Sequence, residues 1–202
     1  MQRVVGHREW RVARYGKEHK EVTRRRIIEA AGQRLKRDGI DGSGVSVLMA
    51  DAGLTNGAFY AHFASKEDLV AVAVADQLHQ QRERYRAQAV DREGVERLVR
   101  EYLSMEHRDD AEHGCPSAAL LDEIGRCGEA TRHAYTDGML GLVDQVASIL
   151  APGDQSARGQ TLSLFALLIG TLQLSRALAD RRLADEVLER GIENALALLP
   201  GE

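Results

Sequence analysis

Apolar residues recur along this chain at intervals of three and four positions, which is the period of an α-helix with one buried face. The first such stretch carries the apolar positions Ile27, Ile28, Ala31 and Leu35 between Thr23 and Gly39. Residues 1–20 show no sustained period and are rich in arginine and lysine, so we expect a flexible basic arm there. The pattern predicts a first helix of about four turns.

Two short helices and the start of a long one are predicted next. The second helix has its apolar positions at Val45, Leu48, Met49 and Ala52 and ends at Gly53. Thr55 is placed to cap the third, in which Phe59 and Phe63 lie four residues apart on the inner face. Ser65 is placed to cap the long helix. A helix, a turn containing glycine and a second short helix form the unit that places one helix in the major groove of DNA.

The segment LMADAGLTNGAFYAHFASKEDL, residues 48–69, resembles the DNA-binding signature of TetR-type (TetR/AcrR) transcriptional regulators. The pieces AGLT, FYAHF and SKEDL stand in the family's order and spacing, and the resemblance covers about residues 21–70. Gly44 departs from the usual Thr or Ser cap, and Met49 from the usual small residue. The resemblance implies a sequence-specific DNA-binding regulator, released from its operator as a repressor by a small-molecule or electrophile effector.

The remaining helical patterns complete an all-α fold of about nine helices, with a three-helix helix-turn-helix module before a helical-bundle domain. They cover residues 66–89, 93–106, 116–127, 129–150, 156–180 and 185–199. The Ser156–Asp180 segment is apolar almost all round, which predicts a helix packed on every side. We expect three parts: the arm at 1–20, the DNA-binding domain at 21–66, and a ligand-binding and dimerisation domain at 67–202.

Composition and charge support this organisation. Three prolines and 4% aromatic residues in 202 favour helices over strands. The net charge of −4 conceals an asymmetry, because residues 1–66 carry 13 basic against 7 acidic residues and the rest carry 14 against 24. We therefore expect the first third to face a polyanion. Two cysteines, no signal peptide and no segment long enough to span a bilayer predict a cytoplasmic protein without a membrane partner.

The resemblance assigns the DNA contacts. Thr55, Asn56 and Gly57 are expected at base edges, where an asparagine can contact adenine through two hydrogen bonds. Phosphate contacts are expected from Thr23, Arg24, Ser46, Tyr60, His62 and Lys66. Two of these have an alternative reading, since His62 also fits a packing histidine and Arg24 an ordinary solvated side chain. The partner is double-stranded operator DNA, approached by a homodimer formed through the last two helices.

The effector site is less well defined by the sequence. Polar-tipped or adaptable residues that fit a cavity among the middle helices are Tyr102, Met105, Tyr135, Met139, Phe165 and Gln173, although each also fits ordinary core packing. Cys115 precedes Pro116 and so falls at a helix N-terminus, which stabilises a thiolate. Its Gly114-Cys115 context resembles electrophile-sensing members of the family. A buried, inert thiol is the alternative, and the core domain has no lysine after Lys66 to join to it.

Two other classes of function stay open. Glu106–His113 contains two histidines and four carboxylates, but their spacing matches no recognised metal site, so a solvated loop is preferred and no metal is assigned. A thiol- or metal-dependent enzyme is the alternative class. The sequence shows no evident pairing of a nucleophile with a general base, so we predict no enzyme activity and no cofactor. A helical dimerisation protein with a vestigial module is a further alternative, and an activator would use the same DNA contacts as a repressor.

Overall fold

The fold was obtained as a computed structural model that describes residues 6–154 and 156–199. These residues form nine α-helices and one 3-10 helix, with no strand among them. The α-helices are α1 Gly6–Asp38, α2 Val45–Asp51, α3 Lys66–Gln88, α4 Arg92–Tyr102, α5 Met105–Asp109, α6 Pro116–Arg126, α7 Glu129–Leu150, α8 Ser156–Ala177 and α9 Arg181–Ala197. The 3-10 helix Asn56–Ala61 lies between α2 and α3. The predicted all-α fold class is confirmed.

The first helix is much longer than its apolar pattern predicts. It begins at Gly6, so residues 6–20, expected to be a flexible arm, continue α1 as helix. Residues 1–5 of the expected arm lie outside the described residues. The physical reason is that helix formation does not require a buried face, and the Arg, Lys, Glu and Ala residues of this segment have high helix propensity. The predicted end is correct, because Gly39 adopts a φ of +79° directly after Asp38.

The helix-turn-helix module is built around a small aromatic and aliphatic core. Phe59 and Phe63 are 1% and 2% exposed, and their rings stack with centroids 5.8 Å apart. They share this core with Ile27 of α1 and with Leu48 and Met49 of α2. Burying each phenylalanine contributes roughly 2–3 kcal/mol to folding. Both aromatic residues were predicted as core, and the burial confirms it.

The helix caps agree with the sequence in one case and differ in another. Ser65 begins α3 as predicted, since its hydroxyl accepts a hydrogen bond of 3.1 Å from the amide of Asp68. Thr55 occupies the N-cap position of the 3-10 helix, but its side chain makes no capping hydrogen bond within the described chain. The capping role predicted for Thr55 is therefore corrected. The 3-10 helix has a tighter turn than the α-helix assumed for that bond.

The long helix α3 connects the module to the bundle and packs along α7. The two helices approach closely at Gly138, where an added Cβ would lie 2.7 Å from Leu78 Cδ1. Leu78 itself is fully buried, together with Leu142 and Val143 on the facing side of α7. Polar residues of α3 line two cavities together with the segment between α4 and α6.

The predicted helix over 93–106 is in fact two helices. Helix α4 ends at Tyr102, and α5 begins at Met105 after Ser104, whose hydroxyl accepts a hydrogen bond of 3.1 Å from the amide of His107. A serine that bonds to the backbone favours a new helix start over continuation of the preceding helix. After the break, α5 packs on α8, and the segment that follows α5 brings Gly114 to Lys36 of α1.

Helix α8 leaves one face open within a single protomer, and its burial on every side stays a prediction that a second subunit would have to complete. It packs on α9, α7 and α6. Leu162 and Leu174 nevertheless remain 41% and 52% exposed. An apolar helix in a single chain can leave such a face open when the residues on its remaining sides suffice for the core.

Candidate DNA-binding surface and effector cavity

The predicted base-reading residues form an exposed segment. Thr55, Asn56 and Gly57 are all exposed, and an added Cβ at Gly57 would meet nothing within 4 Å. Tyr60 follows with 75% of its surface exposed, while its ring contacts the buried Phe59 ring edge-to-face at 5.2 Å. The segment thus presents polar groups outward from an aromatic base. Such a surface can approach base edges and phosphates without rearrangement of the core.

The predicted contacts on the α1 side are less exposed. The Arg24 guanidinium lies 4.8 Å from the centroid of the Phe63 ring, and Thr23 beside it is half-buried. His62 is also half-buried, and its Nδ1 atom is buried with no hydrogen-bond partner among the described residues. Burial lowers the pKa of His62, and the positive charges of Lys20 and Arg24 lower it further. Both effects favour the neutral form of the His62 imidazole.

Two predicted phosphate contacts differ in their surroundings. Ser46 is exposed in the first turn of α2, where its hydroxyl is available. Lys66 is half-buried, and its ammonium group donates a hydrogen bond to the carbonyl oxygen of Ile40. Lys66 therefore ties the start of α3 to the turn after α1. A phosphate contact by Lys66 requires that its amine leave or share that carbonyl.

Two adjoining cavities lie where α1, α3 and the α5–α6 segment meet. The first has a volume of about 190 Å³ and is walled by Tyr85, Leu98, Tyr102 and His107, among others. The second has a volume of about 340 Å³, with Lys36 and Gln81 in its wall. Arg84, His113 and Gly114 line both. The combined space is of the size of a small-molecule site, and most of its wall is polar.

The N-terminus of α6 is held by a histidine. Cys115 occupies the N-cap position with Pro116 after it, as predicted, and its amide donates a hydrogen bond of 2.9 Å to His107 Nε2. His107 Nδ1 lies 2.7 Å from the Tyr102 carbonyl oxygen. These two bonds require the neutral Nδ1–H tautomer. Burial lowers the pKa of His107 to about 4, although the Tyr102 carbonyl opposes that shift. Cys115 is 3% exposed, and both cysteines of the chain are free thiols.

A lysine lies beside this thiol although the core domain contains none. Lys36 comes from α1, is 7% exposed, and donates a hydrogen bond of 3.0 Å to the Gly114 carbonyl. Burial lowers the pKa of Lys36 to about 8, while the nearby Cys115 acts in the opposite direction. Lys36 belongs to the predicted DNA-binding domain at 21–66, and only the fold carries it to Cys115.

The predicted effector residues do not gather around one cavity. Tyr102 lines the first cavity, and Cys115 adjoins it through Gly114. The other predicted residues line neither of the two cavities. Met105 is 55% exposed, and Gln173 is half-buried. Tyr135 donates a hydrogen bond of 3.0 Å to the Ser117 hydroxyl. Phe165 is a core residue, and Met139 packs on the core. Met105 is thus largely solvent-exposed, and the other four residues lie outside the two cavities.

Sequence reasoning missed most of the wall of the cavities. Gln77, Gln80, Gln81 and Arg84 of α3 all line the second cavity. Their spacing of three and four residues puts them on one face of the helix, so a polar stripe on a helix inside the bundle was the available signal. Lys36 and His113 had no such signal. They reach the cavity from segments distant in sequence.

The histidine-rich segment does not form a metal site. Both ring nitrogens of His107 are engaged within the protein, and His113 pairs with the Asp110 carboxylate at 3.0 Å. Across the described ranges, no group of three or more His, Cys, Asp or Glu side chains is arranged to hold a metal ion.

None of the helices described is both long and apolar enough to cross a membrane.

The module and bundle together define a helix-turn-helix protein with an appended helical domain. Residues 27–73 match the family of bacterial regulatory proteins named the tetR family. The resemblance seen in the sequence is thus confirmed over residues 27–73, which match the tetR-family domain. No curated protein matches its sequence.

Solved structures extend the similarity of fold to the whole chain. The reduced form of NemR from Escherichia coli superposes with a TM-score of 0.74 at 20% identity, covering 89% of this chain and 99% of that one. A TetR-family transcriptional regulator from Cytophaga hutchinsonii gives 0.71 at 21% identity, covering 91% and 98%. FadR from Bacillus subtilis, solved with stearoyl-CoA, gives 0.60 at 21% identity, covering 83% and 96%. The bundle therefore has the fold of TetR-family regulators.

Proposed function

We propose that the protein is a homodimeric, cytoplasmic repressor that binds operator DNA and is released by an effector acting on the bundle. The observation that carries this proposal is the exposure of Thr55, Asn56, Gly57 and Tyr60 around the buried Phe59, inside the domain that matches the family. Two copies related by a two-fold axis would present two such segments to half-sites about one helical turn apart. We assign no enzyme activity, and the domain limits are 21–66 for DNA binding and 67–202 for the effector and dimerisation domain.

Base reading is assigned to Thr55, Asn56 and Gly57. Asn56 is exposed and its amide can donate to and accept from the edge of an adenine in the major groove. Gly57 has open space at the position of a Cβ, so the backbone there can come close to a base. We place Asn56 as the main source of sequence preference.

Phosphate contacts hold the module on the duplex and carry no direct sequence information. We assign them to Tyr60 and Ser46, which are exposed, and to Arg24, whose guanidinium is steadied by the Phe63 ring. Thr23, His62 and Lys66 complete the set. Of these, Lys66 contributes by exchanging its bond to the Ile40 carbonyl for one to a phosphate.

The dimer is assigned to α8 and α9. Leu162 and Leu174 of α8 and Leu183 and Leu198 of α9 are each at least 40% exposed in one protomer. Packing these leucines against the same helices of a second copy would remove them from water and form a self-complementary interface. That arrangement would also bury the face of α8 that one protomer leaves exposed, as expected for a helix that is apolar almost all round.

Release is assigned to the junction between α1 and α6. The Glu123 carboxylate of α6 accepts hydrogen bonds of 2.7 and 3.0 Å from the amides of Ile40 and Asp41, which follow α1. Lys36 adds its bond to Gly114 just before α6. An effector that favours another position of α6 would move α1, and with it the recognition segment. Cys115 lies at this junction, so modification of its thiol by an electrophile is a route to the same release.

The test is fluorescence anisotropy of the full chain on the DNA flanking its own coding region, with excess nonspecific competitor. We expect Asn56→Ala to weaken binding and relax base preference, and Tyr60→Phe to weaken binding uniformly across sequences. Gln88→Ala, an exposed amide at the end of α3, is the matched control. Binding that is nonspecific in the wild type, or unchanged by Asn56→Ala, contradicts the assignment.

A thiol arm separates the two modes of release. N-ethylmaleimide should release the wild type and Cys127→Ser from DNA but leave Cys115→Ser bound. Release that persists in Cys115→Ser assigns the effect to another group. Binding that is indifferent to the reagent in all three proteins leaves the cavity as the effector site.

A further inference from the structure

Two cations face the adjoining cavities without a carboxylate partner among the described residues. Lys36 has the Gly114 carbonyl as its hydrogen-bond acceptor, and the Arg84 guanidinium lies 5.8 Å from the centroid of the Tyr85 ring. Neither side chain forms an ion pair in the part of the chain that the structure describes, whereas Arg25, Arg34 and Arg37 of α1 all do. A buried cation whose partner is only a carbonyl oxygen is stabilised further when an anion binds beside it.

The carboxylates of the cavity walls are already engaged elsewhere. Glu29 pairs with Arg25 at 2.7 Å and Glu112 with Arg37 at 3.5 Å, both on the α1 side. Asp110 accepts from His113, as described above. Glu101 is 3.5 Å from the Gln88 amide, and Glu106 is exposed. Lys36 and Arg84 thus have no carboxylate at ion-pair distance, although Asp110 and Glu112 act on Lys36 from farther away.

Buried polar atoms near the same point lack partners. The Tyr102 hydroxyl in the first cavity and the Gln81 Oε1 atom in the second are both buried without a hydrogen-bond partner in the described chain. Tyr102 is 5% and Gln81 6% exposed. Burial, with Cys115 and Tyr85 nearby, raises the pKa of Tyr102 well above its usual value, so its hydroxyl remains a donor. Unpaired buried polar groups of this kind are rare in folded proteins, and these two belong to residues that line the cavities.

We infer that the adjoining cavities bind a small monocarboxylate, with its carboxylate between Lys36 and Arg84 and its apolar body beside Tyr85, Leu98 and Tyr102. A monoanion is favoured over a phosphate dianion because five acidic side chains stand in the same walls and would repel a second charge. The first cavity, which contains Tyr85, Leu98 and Tyr102, has a volume of about 190 Å³, and this limits the body of the ligand to roughly the size of one aromatic ring.

This inference rests on the proposed regulator and names the class of its effector. A carboxylate that attracts the Lys36 ammonium competes with the Gly114 carbonyl, which is the bond that joins α1 to the start of α6. Binding would therefore weaken one of the ties between the DNA-binding module and the bundle. The ligand then favours the conformer with a displaced α6, which is the condition for release.

The charge of Lys36 makes this binding dependent on pH. The groups that face it are Glu29 of its own helix, Arg84 of α3, His107 of α5, Asp110 and Glu112 of the segment after α5, and Cys115 at the start of α6. A bound carboxylate favours the charged ammonium form. It therefore raises the pKa of Lys36 above about 8, its value in the ligand-free protein. Affinity is then constant below that value and falls as the pH rises above it, with uptake of a proton on binding.

The experiment is isothermal titration calorimetry of the full chain with benzoate and with benzamide, its neutral isostere, at constant ionic strength. We expect benzoate to bind at least about tenfold more tightly. Arg84→Gln and Lys36→Gln should each reduce benzoate affinity by about ten- to a hundredfold and leave benzamide unchanged. Arg86→Gln, an exposed arginine of α3 that lines neither cavity, is the matched control and should bind benzoate like the wild type.

Three results would overturn the inference: benzoate bound no better than benzamide, an equal loss in Arg86→Gln, or inorganic phosphate bound more tightly than benzoate. Arg84 is exposed, so its variant decides the matter even if Lys36→Gln is poorly folded. At about pH 8.5 the wild type should take up protons when it binds benzoate, and Lys36→Gln should not. Because calorimetry uses no DNA, a failure here is separate from a failure of operator binding.

Discussion

Replacing Lys36 with methionine should make the protein more stable at neutral pH. Lys36 is 7% exposed and its pKa falls from 10.5 to about 8, so the folded state binds its proton less tightly than the unfolded state does. Below the folded value, this difference of 2.5 units costs about 3 kcal/mol of unfolding free energy. Methionine retains the aliphatic stem without the charge and avoids that cost.

The sign of the pH dependence follows from the same difference. Between the folded and unfolded pKa values the unfolded chain holds more protons, so the wild type gains stability as the pH rises through that window. The gain is about 2 kcal/mol between about pH 7 and about pH 9.5. Lys36→Met lacks this gain. The advantage of the variant over the wild type should therefore shrink by that amount across the window.

Urea unfolding followed by circular dichroism at several pH values measures this difference. Gln33→Met places the same side chain on α1 without removing an amine, so its unfolding free energy should run parallel to that of the wild type. Parallel curves for the wild type and Lys36→Met would refute the reasoning. They would mean that the Lys36 amine is solvated, and the inferred carboxylate site would lose one of its two cations.

Three further substitutions test the fold around the site by urea unfolding. Ser65→Ala removes the cap of α3 and should cost about 1 kcal/mol; a loss below a few tenths would show that water replaces the cap. Glu123→Ala leaves two amides after α1 without their acceptor and should cost about 2 kcal/mol, with weaker DNA binding from a loosened module; unchanged operator affinity would separate this contact from DNA binding. Gly138→Ala forces a Cβ against Leu78 and should cost about 1–3 kcal/mol, whereas the matched Gly125→Ala, with open space, should be neutral or stabilising by up to about 1 kcal/mol; equal effects would contradict the close approach of α3 and α7.

Local signals predicted the secondary structure well where they had a stereochemical cause. Gly39 and Gly53 end helices with positive φ, Ser65 caps α3, and Pro116 opens α6, all as the sequence indicated. Each signal acts over three or four residues of backbone, so it operates without knowledge of the rest of the fold. The extension of α1 to Gly6 was missed because helix propensity alone supports it, without an apolar stripe.

The sequence by itself determined the helix-turn-helix module, because its core and its exposed segment both lie within about fifty neighbouring residues. Tertiary structure alone decided the cavity. Lys36 meets Gly114 across 78 positions of chain, and Ile40 meets Glu123 across 83. Those contacts depend on how α3 packs against α7 and on the turn between α4 and α5, and no local period encodes either. For that reason Lys36, which belongs to the DNA-binding domain, comes close to the thiol of Cys115 only in the folded protein.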